Sequence, residues 1–344
     1  MITLLQELPD IVFLSQLKDF SFTTDRESAT FVVSVASGAV LNEVYTPDSS
    51  GTITVYDLDT LLIPKLLTEP YSKLGIYIYD GSDIKLLESQ VVYCLLDISI
   101  PAAEYLSGYF LTAMAGLKKT TAYGRKEYLN YILSEGESSQ VNVELHYVRE
   151  DNHTSYSTES SLSSSVESGI STITFSPDQF RRSGYILLSF DVTCGSRVQS
   201  YVMEREDIPE QVGFLFKNAF RVEDTFYCTG LLTYKPEYER ASALMGGLLK
   251  NYHVEEKRIY QANSGYLMED MLELADDLAR ADDVCLFQDD GMIPVLITES
   301  EMQRTNADDE LYNITITYRA TRKYRRKFVS LDGIFDNTFD ETFN

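Results

Sequence analysis

The sequence predicts a mainly β protein built from several small β-rich domains, the C-terminal one α+β with a single amphipathic helix. The chain has 24 Tyr and 17 Phe but no Trp, an aromatic fraction of 12%, and such side chains favour strands. Apolar and polar residues alternate in many stretches, whereas a sustained helical period occurs in one place. A length of 344 residues corresponds to two domains, or to three small ones.

The first segment, residues 1–120, is predicted as an N-terminal β domain. Strands are expected at 31–36 and 52–56, and the dipeptide Asp80-Gly81 between apolar runs is a strong hairpin signal. After Asp57, a possible N-cap, Leu58, Leu61 and Leu62 have helical spacing, which predicts a short helix. We expect Pro64 to limit this helix to a turn or two, since proline disrupts helix interiors.

Residues 121–213 are predicted as a middle β domain. Alternation over 141–147 indicates a half-buried strand, and further strands are expected at 173–175, 185–192 and 198–203. Nine of the 17 residues in 155–171 are Ser, and so polar a stretch buries little apolar surface. We therefore expect a long mobile loop there.

Residues 214–328 are predicted as the α+β domain. Apolar residues share one helical face over 266–280, which we expect to be the only helix longer than about three turns, with Ser264 as its cap. A hairpin is expected over 284–297, where Pro294 indicates an edge strand. Residues 311–318 alternate as a further strand.

Charge and chain ends exclude several classes of protein. The net charge is −24, which argues against nucleic-acid binding and against an anionic membrane surface, because both need clustered cations. The first residues lack the pattern of a secretory signal, and no apolar run reaches the length of a membrane span. The expected location is the bacterial cytoplasm, then a virion tail if the protein comes from a phage.

No motif indicates catalysis, a metal or a cofactor. P-loop, GxGxxG, GxSxG, HExxH and CxxC patterns are absent. Acidic pairs such as Asp276-Asp277 are expected on solvated surfaces in so acidic a chain. Histidines are treated as structural or exposed, and cysteines as buried reduced thiols without a disulfide or metal; the cysteines are Cys94, Cys194, Cys228 and Cys285.

The C-terminus carries an unusual pair of features. A basic stretch places six cations within nine residues: Arg319, Arg322, Lys323, Arg325, Arg326 and Lys327. A tail over 329–344 follows, with three aromatic residues at four-residue spacing: Phe335, Phe339 and Phe343. One interpretation is that the cations form a solvated edge strand. Another is that both features dock on an acidic face of another copy or of a partner, with aromatic residues supplying affinity and charge supplying register. A third is that the tail folds back on its own domain, which would leave a monomer.

Several segments resemble uncharacterised proteins from phages and prophages of gut anaerobes: 216–220, 223–230, 233–240 and 333–340. The block 266–318 resembles tail proteins of the distal-tail or baseplate type, in which a helix and a strand precede a glycine turn and a Thr-rich strand. The resemblance implies a structural virion component with β-rich domains and ring-forming contacts. It covers no catalytic residue.

The leading hypothesis is therefore a non-enzymatic tail or baseplate component. Its partners are expected to be other tail proteins or copies of itself in a homo-oligomer, with no nucleic acid, membrane or cofactor. One alternative is a module that binds a surface glycan or protein through Tyr-rich loops. A hydrolase with paired carboxylates is a third hypothesis.

Overall fold

Five β-sheets and three short α-helices make up the described part of the chain, which comprises residues 1–134, 136–204, 212–288, 291–303 and 312–321 of a computed structural model. The prediction of a mainly β fold with several separate sheets is confirmed. The predicted domain boundaries stay predictions.

Two sheets face each other in the N-terminal part. The strands are β1 (Thr3–Leu4), β2 (Ile11–Phe13), β3 (Phe20–Thr23), β4 (Ala29–Val35), β5 (Gly38–Tyr45), β6 (Thr52–Val55), β7 (Tyr71–Tyr79) and β8 (Ile84–Val92). One sheet has the order β1-β3-β6, the other β2-β8-β7-β4-β5. Alternate residues of both sheets enter one core, where the Phe31 ring lies 5.7 Å from Phe20 and 5.9 Å from Phe22. The predicted hairpin at Asp80-Gly81 joins β7 to β8.

Helix α1 (Leu58–Leu66) covers this core and corrects one expectation. Leu58, Leu62 and Leu66 repeat every four residues and are buried. The helix continues past Pro64, so the predicted limit of one or two turns is wrong. Burial of Leu66 and a hydrogen bond from the Leu67 N–H to the Ile63 carbonyl hold the last turn. Asp57 occupies the N-cap position, but its side chain makes no capping hydrogen bond.

A second pair of sheets forms the middle part. After α2 (Ala102–Gly108), the strands are β9 (Lys118–Thr121), β10 (Glu127–Tyr131), β11 (Val141–Arg149), β12 (Ser155–Leu162), β13 (Ser164–Glu167), β14 (Ile170–Phe175), β15 (Tyr185–Cys194) and β16 (Arg197–Met203). The sheets have the orders β10-β14-β13 and β12-β11-β15-β16-β9. Phe175 and Phe190 lie 5.5 and 4.8 Å from the Tyr201 ring in their shared core.

The expected mobile loop at 155–171 is wrong, because the Ser-rich segment forms β12 and β13, which are sheet edges. β12 pairs with β11 from Val148↔Ser155 to Val141↔Leu162. Serine contributes little packing, but backbone hydrogen bonds do not depend on the side chain. Tyr156 supplies an anchor, with its ring 5.3 Å from that of Tyr185.

The C-terminal part contains a seven-stranded sheet and one helix. Its elements are β17 (Val212–Lys217), β18 (Glu223–Cys228), β19 (Leu232–Met245), β20 (Leu248–Asn263), α3 (Met271–Arg280), β21 (Val284–Gln288), β22 (Gly291–Gln303) and β23 (Asn313–Ala320). The sheet order is β18-β17-β21-β22-β23-β20-β19. Phe214, Ile314 and Ile316 from this sheet pack with Leu274 and Leu278 of α3.

Helix α3 has the predicted buried face but different limits. It begins at Met271 and spans ten residues, under three turns, so both the start at 266 and the expected length are wrong. Ser264 does not cap it: the Ser264 hydroxyl accepts a hydrogen bond from the Ile314 N–H (3.0 Å) and donates to the Gly265 carbonyl (2.8 Å). Gly265 turns the chain in the left-handed region, at φ +73°.

Pro294 lies in an interior strand, so the edge-strand prediction is wrong. β22 pairs with β21 on one side and β23 on the other, and Pro294 is opposite Cys285. On the β23 side, the Pro294 carbonyl accepts a hydrogen bond from Thr321, directly after the end of β23. Because proline has no N–H, the sheet loses one backbone hydrogen bond, at the end of the pairing between β22 and β23.

A fourth apolar cluster joins the three parts. Phe13, Tyr105 and Phe220 come from different parts of the chain, and their rings lie 5.5 to 5.9 Å apart. Tyr105 belongs to α2, which places this helix at the centre of the junction. Burial in these contacts fixes the three parts against one another.

Candidate assembly surface

Only Arg319 of the predicted docking residues lies within the described part of the chain. It is exposed near the end of β23, opposite Leu296 of β22. Glu239 raises the pKa of Lys257, and the nearby charge of Arg319 opposes this rise, so Arg319 lies close to β20. The other predicted contacts lie outside the described residues: Arg322, Lys323, Arg325, Arg326, Lys327, Phe335, Phe339 and Phe343.

A feature that the sequence analysis missed lies next to Arg319. Strands β19 and β20 form a long hairpin, residues 232–263, which we call the arm. Among the described residues, β20 pairs with β23 only from Tyr260 to Asn263, and the rest of the arm pairs only with itself. With 14 residues, β19 is about 45 Å long at the usual strand rise. None of its residues is buried.

Aromatic stacking fixes the base of the arm to the core. The Tyr260 ring lies 5.1 Å from Tyr234 on the neighbouring strand and 5.4 Å from Tyr318 of β23. Tyr318 is buried, which raises its pKa, and its ring meets Phe214 edge-on at 5.4 Å. The guanidinium of Arg258 covers Tyr234 at 5.5 Å. The arm therefore leaves the body in a defined direction.

The distal end of the arm is apolar and exposed. Gly246 and Gly247, at φ +61° and +79°, form a two-residue turn of the kind that hairpins prefer. The four flanking residues, which we call the tip, have exposed fractions between 51% and 74%: Leu244, Met245, Leu248 and Leu249. Tyr252 and Val254 extend this apolar surface along β20. Apolar side chains held so far from the core are typical of an interaction site.

The outer half of the arm also differs in charge from the rest of the chain. Residues 240–254 contain two cations, Arg240 and Lys250, and no carboxylate, in a protein with 53 Asp and Glu. Nearer the base, Glu239 pairs with Lys257. The tip thus combines apolar side chains with a locally positive charge, which suits an acidic partner surface.

A buried ion cluster lies elsewhere, between the middle and C-terminal sheets. The ammonium of Lys119 contacts Asp224 at 2.7 Å and Glu127 at 2.9 Å, and all three side chains are buried. Thr112 donates to Asp224 (2.9 Å), and Thr121 donates to Glu127 (2.7 Å). Every charged group has a partner of opposite charge or a hydroxyl, so the cluster fastens three sheets together, through β9, β10 and β18.

Ser157, His146 and Asp191 are the side chains that most resemble a catalytic arrangement. The Ser157 Oγ lies 3.1 Å from His146 Nδ1, and His146 Nε2 lies 3.9 Å from Asp191. All three project from paired strands β12, β11 and β15, whose backbone N–H groups form the ladders. A flat sheet surface of this kind supplies no preorganised donors for an oxyanion.

The Tyr-rich surface of the middle part offers little room for a glycan. Arg182 lies between Tyr156 and Tyr185, 4.7 and 4.6 Å from their ring centroids. An open cleft beside them is lined by Arg149 and Asp151, which form an ion pair at 3.0 Å. Because the guanidinium already covers both rings, a sugar has no free aromatic face to stack on at this place.

The thiols of the four cysteines are mostly buried. Cys94, Cys194 and Cys228 are buried as predicted, Cys285 is half-buried, and all four are free. Burial raises the pKa of Cys94 and of Cys228 to about 12.

Within the described ranges, no group of three or more His, Cys, Asp or Glu residues is arranged to hold a metal ion. In the part of the chain that the structure describes, no helix has the length and apolarity needed to cross a membrane.

Comparisons with known proteins do not show the family of this chain. No protein-family model and no curated protein matches this chain. Among solved structures, a fragment with the N-terminal eight Ig domains of Down Syndrome Cell Adhesion Molecule isoform 1.30.30 is 10% identical, with a TM-score of 0.15. The match covers 92% of this chain and about half (52%) of the solved one. At that TM-score the likeness carries no argument.

Proposed function

We propose that this chain is a structural component of a phage or prophage tail or baseplate, and that it assembles with other proteins through the arm. The observation that carries the proposal is the tip, in which Leu244 and Leu249 are 73% and 74% exposed. The resemblance of 233–240, within the arm, to uncharacterised phage and prophage proteins supports a phage origin, and the resemblance of 266–318 to distal-tail or baseplate proteins supports the tail role.

The energetics of the arm favour a role in assembly. A two-stranded hairpin without a buried face is marginally stable in water, so packing within the chain does not account for its length. Covering each Å² of apolar surface contributes about 25 cal/mol, and the tip and Tyr252 leave several large side chains uncovered. A partner that covers them stabilises both the complex and the arm.

The proposal includes no catalysis and no nucleic acid. A net charge of −24 opposes contact with phosphate backbones. Ser157, His146 and Asp191 lie on the face of the paired strands β12, β11 and β15, which supplies no preorganised donors for an oxyanion. Other tail proteins or copies of the same chain are the proposed partners.

Replacing the outer arm, residues 237–257, by an Asn-Gly turn tests the proposal. We expect light scattering and sedimentation to show loss of assembly, alone or with tail proteins encoded by neighbouring genes. The body should unfold at an unchanged temperature, because these residues contact little beyond the arm.

The matched control is Val166→Ser, which makes an exposed valine of edge strand β13 polar. It should assemble like the parent chain. Unchanged assembly of the shortened chain, or neighbouring genes without any tail function, contradicts the proposal.

A further inference from the structure

A second exposed apolar surface lies on the outer face of the N-terminal sheet. In the order β8-β7-β4-β5, Leu86 is opposite Tyr77, and Ile84 is opposite Tyr79. Thr30 continues the second row to Val44. We call the apolar members the N-terminal patch, with exposed fractions from 36% to 68%: Val44, Tyr77, Tyr79, Ile84 and Leu86. The solvated face of an antiparallel sheet is normally polar, so this patch is unusual.

We propose that the N-terminal patch of one chain binds the arm tip of a second copy. This inference rests on the proposed function, because it takes the arm as the element that assembles. Both surfaces are exposed and apolar, and neither contacts the other within one chain. Docking between copies covers both at once.

Charge supports this pairing. Carboxylates outnumber cations in residues 1–98, and Glu88 projects from the same face as Leu86, two residues along β8, with its side chain 54% exposed. Lys73 pairs with Glu88 at 2.8 Å, and the loop before β4 adds the exposed Glu27. The outer arm has Arg240 and Lys250 and no carboxylate, so a docked arm brings positive charge to an acidic border.

Register and area describe the contact. In the arm, Leu244 lies opposite Leu249 on one face, and Met245 lies opposite Leu248 on the other, so the patch meets one of these pairs. The Leu244–Leu249 pair and the patch together expose about 750 Å² of side-chain surface, the size of a small, transient interface. The two surfaces differ, so two copies either exchange arms reciprocally in a symmetric dimer or meet through head-to-tail contacts. Such contacts form a closed ring when the rotation between copies closes, and an open chain otherwise.

Two variants and their mixture test the inference. The arm variant carries Leu244→Ser and Leu249→Ser, and the patch variant carries Ile84→Ser and Leu86→Ser. We expect each alone to lose self-association by about tenfold or more, because apolar anchors dominate interfaces. A one-to-one mixture should form a dimer, since it retains one intact arm and one intact patch. Val166→Ser is the control, and thermal unfolding verifies that each variant is folded.

Crosslinking gives a readout that needs no destabilising change. A chain with Leu86→Cys and Leu249→Cys should form intermolecular disulfides on mild oxidation. Chains with either cysteine alone should not form the ladder of crosslinked species, because the matching position on the neighbour is absent. Absence of crosslinks in the double variant overturns the inference.

The outcomes separate this inference from the proposed function. If the patch variant assembles normally while the arm variant does not, the arm docks elsewhere, so the inference fails and the proposed function stands. If the arm variant also assembles normally, both fail. A strictly monomeric intact chain, or a mixture of variants that stays monomeric, overturns the second copy as the occupant.

Discussion

Two hairpins of this chain show how differently the same motif is used. The β7–β8 hairpin has nine residues per strand, and Leu74, Ile76 and Ile78 of β7 are fully buried. The arm is longer, yet β19 has no buried residue. In the β7–β8 hairpin, packing against a core determines the register and the stability. In the outer arm, among the described residues, the cross-strand pairs determine both. A long hairpin without a core is therefore a sign of a binding element.

The surroundings of the hairpins differ in the same way. β7 pairs with β8 on one side and with β4 on the other, so its backbone groups are satisfied along both edges. β19 is the last strand of the seven-stranded sheet, and within the described ranges it pairs on one edge only, with β20. Lys235 and Pro236 lie on this edge strand, and such residues discourage uncontrolled strand addition.

The largest expected contrast concerns ion pairs. Lys119→Met leaves Glu127 and Asp224 buried without their cation, and we expect a loss of about 4 kcal/mol in the free energy of unfolding. Lys257→Met removes the arm's pair with Glu239 and should leave the unfolding midpoint unchanged. Urea denaturation of both variants measures the difference. Equal losses contradict the distinction between body and arm.

Core packing gives the next contrast. Ile76→Ala creates a cavity under β7 and should cost about 3 kcal/mol of unfolding free energy. Leu249→Ala at the tip should change it by less than about 0.5 kcal/mol, because the side chain is already in water. Thermal or urea unfolding of monomeric protein compares the two. A large loss for Leu249→Ala indicates that the tip folds back onto its own chain.

The stability of the body should depend on pH through one buried carboxylate, that of Asp277, which the arm does not contain. Asp277 on α3 is buried, so the expectation that the Asp276-Asp277 pair lies on a solvated surface is wrong for this residue. Burial, with the nearby charge of Asp224, raises the pKa of Asp277 to about 7, and its Oδ2 has no hydrogen-bond partner among the described residues. The folded state therefore retains a proton that the unfolded state releases, so stability falls as pH rises from about 4 to 7. Asp277→Asn should raise stability at pH 8 by on the order of 2 kcal/mol and little at pH 4.

The control for this titration is Asp276→Asn on the next position. Asp276 accepts a hydrogen bond from Arg280 at 2.9 Å and is only partly buried. Its removal should have a small effect without the same rise between the two pH values. If Asp277→Asn shows no greater gain at pH 8 than at pH 4, the folded protein does not hold Asp277 protonated.

The smallest expected difference involves a matched pair of turn glycines. Gly81 (φ +88°) lies in the β7–β8 turn, Gly247 (φ +79°) in the arm turn, and a Cβ at either meets no atom within 4 Å. Alanine therefore costs only backbone strain, about 1 kcal/mol. Gly81→Ala should lower global stability by that amount. Gly247→Ala should instead speed hydrogen exchange within the arm and leave the midpoint unchanged.

Alternation and helical period predicted the elements that pack. β11 has the expected buried positions, and α3 buries the apolar face that its spacing indicated. The errors occurred where packing or pairing overrode a local preference. Pro64 stays in α1 because Leu66 is buried, and the serines of 155–167 are ordered by the neighbouring strands, a relation that residue type does not reveal.

The candidate surface was harder to predict than the fold. Residues 232–261 have no continuous apolar face, since none of them is buried in the described structure, so the hydrophobic pattern of a strand pair was missing. One signal was present: Gly246-Gly247 lies between apolar pairs, as in a two-residue hairpin. The N-terminal patch was also hidden, because Leu86 and Ile84 resemble ordinary strand residues until the sheet shows which face they occupy.

The stacked rings of Tyr234, Tyr260 and Tyr318 fix the direction of the arm at its base. Because the strand is about 45 Å long, a rotation of the arm by about 5° at this base displaces its far end by about 4 Å, roughly the width of one side chain. The orientation of these three stacked rings thus decides whether the leucines of the tip reach the surface that they bind. A substitution at Tyr260, remote from any contact, should misdirect the arm without altering a single residue that binds.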